Sequence, residues 1–158
     1  MEILPGKGVV TVRVGEPREL VESRLGAPVH AGRDSRVVYE TSPTLVVDYT
    51  EDELVEVVQV AYSGDGGEEA FFDGVQLTWR FMEDVVADLA AKDYRYEADG
   101  SGYRFEVGFT IFDTGARSPR DLDPGAADDD DRGICEGVAI APYEYLSADS
   151  DHGEVLDD

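Results

Sequence analysis

Apolar and polar positions alternate along the chain in a way that predicts the same order of elements twice. Residues 8–62 contain a β-branched run at 9–14, followed by a short helical pattern and three strands. Residues 74–146 repeat this order, beginning with a strand at 75–79 and a longer helix. Short connections between strands favour antiparallel meanders. The predicted fold class is α+β, with two tandem units, each a short helix packed on an antiparallel three- to four-stranded meander.

Local start and stop residues predict the first helix. Pro17 suits the first helical position, where a missing N–H removes no hydrogen bond. Leu20, Val21 and Leu25 then share one side of the helix. Gly26 suits the left-handed position that ends a helix. The strands that follow are expected at 36–41, 44–49 and 54–62.

The second helix has the most regular amphipathic pattern in the chain. Glu83, Asp84 and Asp88 lie opposite a set of apolar residues that recur at helical spacing. These apolar residues are Phe81, Met82, Val85, Val86 and Leu89. The strands that follow are expected at 94–97, 103–107, 109–112 and within 133–145.

Composition divides the chain into a first unit at 1–63, an acidic linker at 64–73, a second unit at 74–146 and an acidic tail at 147–158. The second unit contains a long acidic loop at 114–132, for which the sequence predicts no regular element. Loops of this length are usually functional or disordered, and runs of like charge usually remain solvated. Disorder is therefore favoured over function for this loop, and the tail is expected to be disordered as well.

The chain is strongly acidic, with a net charge of −23, and residues 116–158 alone carry thirteen acidic and three basic groups. Such a field repels nucleic acid phosphates and anionic membrane surfaces, so neither is expected as a partner. It favours a basic protein, cations or concentrated salt. Only two lysines accompany eleven arginines, a balance that fits a high-GC or halophilic genome. The acidity therefore has a second explanation, adaptation to a salty cytoplasm.

The sequence favours a cytoplasmic protein. Met1–Lys7 lacks the apolar run and the cleavage pattern of a signal peptide. No stretch approaches the roughly 20 apolar residues of a membrane helix. Cys135 is the one cysteine, which excludes an intrachain disulfide and a cysteine metal site.

No arrangement of residues in the sequence predicts catalysis. The two histidines, His30 and His152, lie in polar surroundings with no nucleophile nearby, so surface positions are favoured for both. Cys135 adjoins an apolar strand, where a buried cysteine is more common than a nucleophile. With 36 carboxylates, close pairs arise by chance and carry no information. The sequence therefore predicts no catalytic residues and a protein that is not an enzyme.

No cofactor or metal is predicted either. A calcium loop opening at Asp128 fails, because Arg132 and Ala139 stand where ligands are needed. Gly64–Gly67 has the composition of a linker, not the glycine spacing of a phosphate-binding loop.

The first half carries a compact helix-and-strand motif. Val14-Gly15, Arg18-Glu19-Leu20-Val21 and Leu25-Gly26-Ala27-Pro28 make up its helix part. Its strand part is Val38-Tyr39, Leu45-Val46-Val47-Asp48-Tyr49 and Leu54-Val55-Glu56-Val57. The motif resembles the SmpA/BamE-like domain over about residues 8–62. The second half follows only in its order of elements, and has Lys92-Asp93-Tyr94 in place of the Leu-Gly-x-Pro stop.

The resemblance implies a fold and a habit of binding proteins. The β-lactamase-inhibitory-protein fold is a tandem of such units, with a concave sheet that faces the partner. Members of these families are mostly exported, and no export signal is found in this chain, so outer-membrane assembly and inhibition of secreted β-lactamase do not transfer.

Aromatic residues exceed what one core face needs. Packing between the two halves accounts for them most simply, and the functional alternative is an aromatic patch surrounded by carboxylates. The candidate contacts with a basic protein partner are Trp79, Tyr94, Tyr96, Tyr103, Phe105, Asp128, Asp129, Asp130 and Asp131.

Three hypotheses about function follow. The first is a non-enzymatic protein-binding module, in its sharpest form an immunity-type or inhibitory protein that covers a basic surface such as that of a nuclease. The second is a salt-adapted protein whose acidity reveals nothing about partners. The third is a small-ligand protein or enzyme that uses a cleft between the two units.

Overall fold

A seven-stranded antiparallel sheet organises the chain in the computed structural model, which describes residues 1–29, 34–61, 68–100 and 102–146. The helices include α1 (Arg18–Leu25), α2 (Met82–Ala90) and the one-turn α3 (Pro119–Leu122), and residues 143–146 form a further helical turn. The strands are β1 (Ile3–Leu4), β2 (Gly8–Val9), β3 (Val12–Arg13), β4 (Arg36–Tyr39), β5 (Thr44–Tyr49), β6 (Val55–Ala61), β7 (Phe71–Phe72), β8 (Val75–Gln76), β9 (Tyr96–Asp99), β10 (Gly102–Phe105), β11 (Phe109–Phe112) and β12 (Gly137–Ile140).

The large sheet joins both halves of the chain. Its order is β4-β5-β6-β12-β11-β10-β9, so the late strand β12 lies between β6 and β11. At the centre of the β6–β12 pairing, Gln59 lies opposite Ala139. Mixed helices and antiparallel sheets confirm the α+β class, whereas the division into two tandem units stays a prediction.

One face of the sheet forms the core. Leu45, Val60, Val138 and Ile111 stand side by side across four strands, and each is fully buried. The same apolar cluster contains Val21 of α1 and, from α2, Val85 and Leu89. Each such side chain contributes roughly 1.5–3 kcal/mol through burial, so this continuous row supplies much of the stability that holds the halves together.

The start of each helix is fixed by the same set of backbone contacts. In the first half, the amide of Gly15 donates to Val55, that of Val55 to Glu16, and that of Arg18 to Glu53. In the second half, the amide of Trp79 donates to Cys135, that of Cys135 to Arg80, and that of Met82 to Gly133. The six distances lie between 2.8 and 2.9 Å.

The β-branched run at 9–14 forms a hairpin and not the single strand predicted. Val9 pairs with Val12, which leaves Val10 and Thr11 as the turn. Both paired valines are fully buried, whereas Val10 is 68% exposed. The hairpin therefore buries two valine side chains in the core. The free energy gained by this burial outweighs the preference of the β-branched run for a single extended strand. The strand predicted at 75–79 likewise shortens to β8, and Trp79 takes a left-handed φ of +58°.

The first helix differs from its prediction in two details. Pro17 occupies the N-cap position, one residue before the helix begins. Leu20 is 41% exposed, and the buried residues of α1 are Arg18 and Val21. Gly26 ends the helix with the predicted positive φ, +87°, but as the C-cap and with an extended ψ of −172° in place of the left-handed helical value.

The acidic loop at 114–132 contains a regular element that the sequence analysis missed. Ser118 and Asp121 form a reciprocal capping box, and Pro119 begins the single turn of α3. The predicted tail at 147–158, Gly64–Gly67 of the predicted linker, and both histidines lie outside the described residues. Among the described residues, no helix is long and apolar enough to cross a membrane.

Candidate functional site

A pocket of about 410 Å³ opens beside the start of α2. Met82 and Glu83 supply its helical wall, and Ala98 and Tyr103 belong to the β9–β10 hairpin. Gly100 and Gly102 complete the hairpin wall, and the end of β11 and the end of the acidic loop contribute Asp113, Asp131, Arg132 and Gly133. The pocket lies within the second half, so it differs from the predicted cleft between the two units.

Arg132 holds the end of the acidic loop in place. Its guanidinium donates to Asp130 at 2.6 Å and to Asp123 at 3.3 Å, and it stacks on the Phe81 ring at 3.9 Å. Hydrogen bonds from the Arg132 side chain and backbone hold the pKa of Asp130 below its usual value. The acidic loop therefore contacts Phe81, the residue that precedes α2. The Asp130 carboxylate is already paired with Arg132 within the loop.

Two other arginines connect the loop internally and to the helix start. Arg117 stacks on the Trp79 ring at 5.6 Å. Arg120 forms an ion pair with Asp128, whose side chain is nevertheless 87% exposed. An ion pair this exposed contributes little stability. Asp129 and Asp131 are also exposed, so this end of the loop presents three carboxylates to solvent, in addition to Asp121 at α3.

The structure brings only some of the predicted contact residues together. Tyr103 and Asp131 line the pocket, and Asp128 and Asp129 lie on the same loop as Asp131. Tyr96 is 42% exposed and packs edge-on against Tyr103, with ring centroids 5.8 Å apart.

Two predicted aromatic contacts have structural roles. Phe105 is fully buried and stacks on Phe109, with centroids 4.9 Å apart, so its side chain has no surface to offer a partner. Its strand position explains the error, because it shares the sheet face that the core uses. Tyr94 packs on Phe72 at 5.0 Å, and its hydroxyl donates to Asp73 at 2.8 Å.

Several pocket residues escaped the sequence analysis. The sequence pattern places Glu83 on the polar side of a helix, Met82 on its apolar side, and Gly133 at the start of the segment 133–145 that contains the last strand. Asp113 simply followed a strand. The repeated order of elements was a signal that could have identified these residues. Gly133 follows the long acidic loop of the second half just as Glu53 follows the short turn of the first half.

The first half contains a buried arginine at the matching place. The Arg18 guanidinium donates to Glu22 at 2.9 Å and to Glu53 at 3.2 Å, and it stacks on the Tyr49 ring at 4.9 Å. The Tyr49 and Tyr39 hydroxyls share a buried hydrogen bond of 2.8 Å. Burial raises the pKa of Tyr49 well above its ordinary value, so the pair is neutral at physiological pH.

Reactive groups are scarce among the described residues. Cys135 is fully buried, and burial raises the pKa of its thiol to about 12. Its surroundings therefore suppress the thiolate that nucleophilic chemistry requires. Within the described part of the chain, no group of three or more His, Cys, Asp and Glu is placed to hold a metal ion.

Comparison with known proteins adds no relative. No family model matches the chain, and neither a curated protein nor a solved structure gives a significant match. The resemblance to the SmpA/BamE-like domain accordingly stays a prediction that rests on the motif in residues 8–62.

Proposed function

We propose that the chain is a cytoplasmic, non-enzymatic protein-binding module, of the immunity or inhibitory type, whose acidic face covers a basic surface of another protein. The observation that carries the proposal is the position of the acidic loop. Arg132 and Arg117 hold it against the start of α2, where Asp131 lines a pocket, and Asp128 and Asp129 remain exposed on the same loop.

Such a face gives fast and selective association. Carboxylates held on one side of a protein steer a basic partner into the correct orientation, and they repel acidic competitors. The aromatic rim formed by Tyr96 and Tyr103 adds the apolar contact area that protein interfaces concentrate near their centres.

The module is further proposed to consist of two tandem units related by an approximate twofold axis. Three observations support this. The same three backbone hydrogen bonds fix the start of each helix. Pro17 bridges to Leu54 as Phe81 bridges to Ile134. Strands β6 and β12 pair antiparallel around Gln59 and Ala139, as twofold-related strands do. In this scheme, the acidic loop replaces the short turn at 50–52 of the first unit.

The function is tested by neutralising the exposed loop carboxylates. The variant carries Asp128→Asn, Asp129→Asn and Asp131→Asn. A matched control carries Glu19→Gln, Glu40→Gln and Asp52→Asn, three exposed acids of the first half, so both variants gain the same charge. Proteins retained from host lysate by the wild type are identified, and the affinity of the purified partner is then measured in 0.1 M and 0.5 M salt.

We expect the loop variant to lose at least tenfold in affinity and most of the salt dependence, and the control to lose less than threefold. Equal losses in both variants would show that only net charge matters. Failure of the wild type to retain a basic protein would reject the proposal.

A further inference from the structure

The pocket beside α2 occupies the position that an arginine side chain fills in the first half. Met82 corresponds to Arg18. The backbone amide of Met82 donates a hydrogen bond to the segment that leads into β12, and the amide of Arg18 donates one to the segment that leads into β6. By the same contacts, Gly133 takes the place of Glu53. The first half therefore holds a guanidinium where the second half holds the shorter, uncharged Met82 side chain, and the pocket opens beside Met82.

Strand register extends the correspondence. Val47 pairs with Val58, and Ile111 pairs with Val138, so β11 corresponds to β5. Two residues further along, Asp113 takes the place of Tyr49, which supports the Arg18 guanidinium in the first half. Arg18 also forms one wall of a recess lined by Tyr49, Glu51 and Glu53, so part of the pocket has an open counterpart in the first half.

The pocket walls suit a planar cation. Glu83, Asp113 and Asp131 supply carboxylates, and Tyr103 and Met82 supply aromatic and apolar surface. A guanidinium spreads five N–H donors in one plane, binds carboxylates through two donors at once, and stacks on aromatic rings. The ammonium group of lysine is a compact, strongly hydrated charge, so it gains less from contact with aromatic and apolar side chains.

Two features keep the pocket open and acidic. A β-carbon on Gly133 would lie 3.0 Å from a carboxylate oxygen of Asp113 and 3.4 Å from the methyl carbon of Met82, so glycine preserves the space. Arg132 also lines the pocket, but its guanidinium already donates to Asp130 and Asp123. The charge of Arg132 is thus compensated within the loop.

We propose that this pocket binds the guanidinium of an arginine side chain presented by the partner protein, in the place that Arg18 occupies in the first half. The inference rests on the proposed function, since the arginine belongs to the basic surface that the acidic face covers. It adds the chemical group that is recognised and the residues that recognise it.

The chain contains a built-in reporter for this test. Its two methionines are Met1 and Met82, and only Met82 lines the pocket. The protein is labelled with ¹³C at the methionine methyl groups and titrated with N-acetyl-arginine methylamide. N-acetyl-citrulline methylamide, which has the same shape without the charge, and N-acetyl-lysine methylamide serve as comparison probes. Met1 lies beside Glu68 and Glu69 and reports nonspecific association of cations with acidic surface.

We expect the arginine probe to shift the Met82 resonance saturably in the millimolar range while Met1 stays unmoved. The citrulline probe should produce no shift, and the lysine probe should bind at least threefold more weakly. No Met82 shift, parallel shifts of both methionines, or equal responses to arginine and citrulline would overturn the proposal. Equal affinity for arginine and lysine would overturn the guanidinium assignment.

A matched pair of variants localises the binding. Glu83→Gln removes a pocket carboxylate from an exposed helix position, and Glu19→Gln makes the same change at the corresponding position of α1. We expect Glu83→Gln to weaken the arginine probe at least threefold and Glu19→Gln to leave it unchanged; equal effects would contradict the site.

The two proposals fail separately. If Met82 does not respond but the loop variant still loses the partner, the pocket assignment is wrong and the acidic face stands. If Met82 responds but the loop variant keeps its partner at full affinity, the pocket binds a guanidinium, but the acidic face and the partner's arginine are both rejected.

Discussion

Glu53 contacts Arg18 through both its backbone and its side chain. The carbonyl oxygen of Glu53 accepts a hydrogen bond from the Arg18 amide at 2.9 Å, and its carboxylate accepts one from the guanidinium at 3.2 Å. Glu22 accepts a second guanidinium hydrogen bond at 2.9 Å. A single buried side chain thereby ties the start of α1 to the turn between β5 and β6.

Replacement of Arg18 by methionine, the residue at the corresponding position of α2, should destabilise the protein. The change leaves two partly buried carboxylates without their cation, and we expect the free energy of unfolding to fall by about 2 kcal/mol, below the 3–5 typical of fully buried pairs because both glutamates are partly exposed. Urea unfolding followed by circular dichroism measures it. Arg24→Met, which removes an exposed ion pair to Glu16, is the control and should have a smaller effect. Equal effects would contradict the structural role of Arg18.

The buried tyrosine pair predicts a loss of stability at alkaline pH. The pKa of Tyr49 is raised in the folded protein, mainly by burial, and in the unfolded chain it is about 10. Below pH 10 both states are protonated and the contribution is complete. Above that value the unfolded state loses its proton first, so stability falls with rising pH by up to about 1.4 kcal/mol per unit.

Tyr49→Phe isolates this effect. At pH 7 the variant should be less stable than the wild type by about 1 kcal/mol, because the Tyr39 hydroxyl loses its partner. Between pH 10 and 11 the difference should shrink and then reverse, since phenylalanine does not titrate. Urea unfolding from pH 8 to 11 measures both curves, and parallel curves would show that Tyr49 ionises equally in the two states.

Cys135 should react only when the protein opens. With a pKa of about 12, its thiolate fraction at pH 8 is about one part in 10⁴, and the side chain has no exposed surface. We expect labelling by 5,5′-dithiobis(2-nitrobenzoate) at pH 8 to be at least a hundredfold slower in buffer than in 6 M urea. Complete labelling of the folded protein within a minute would place the thiol at the surface.

The sequence predicted an element correctly where its pattern depends only on neighbouring residues. The predicted strand at 44–49 has the observed bounds of β5, and the apolar spacing of Met82, Val85, Val86 and Leu89 located α2 correctly. These patterns reflect the period of one element, which neighbouring residues determine. The hairpin around Val10 was missed because no glycine, asparagine or aspartate marks its turn.

The pocket was missed for a different reason. Its walls come from Glu83, Asp113 and Gly133, which meet because the segment before β12 crosses to the start of α2 and β12 pairs with β11. Short connections predict that strands next to each other in the sequence also pair with each other. They give no indication that a strand late in the chain is inserted between two earlier strands. A pattern of alternation could not distinguish the buried Phe105 from the exposed Tyr96.

The acidity of the chain has an environmental explanation that salt can test. If the charge serves binding, the protein should unfold cooperatively in 0.1 M KCl, and 2 M KCl should raise the melting temperature by only a few degrees by screening repulsion. Sucrose at equal osmolarity controls for general exclusion of solutes from the protein surface. Absence of a folded state in 0.1 M KCl would instead identify adaptation to concentrated salt, and the electrostatic argument for a basic partner would lose its basis.

The insertion of β12 between β6 and β11 affects how the protein is made. A ribosome adding about 5–20 residues per second needs roughly 4–15 s to proceed from the end of β6 to the start of β12. Throughout that interval β6 has an unpaired edge, which is a template for strands of other chains. Two nascent chains on one messenger are therefore able to exchange residues 137–140. We expect swapped dimers, formed during synthesis, to be the characteristic misassembled product of this fold.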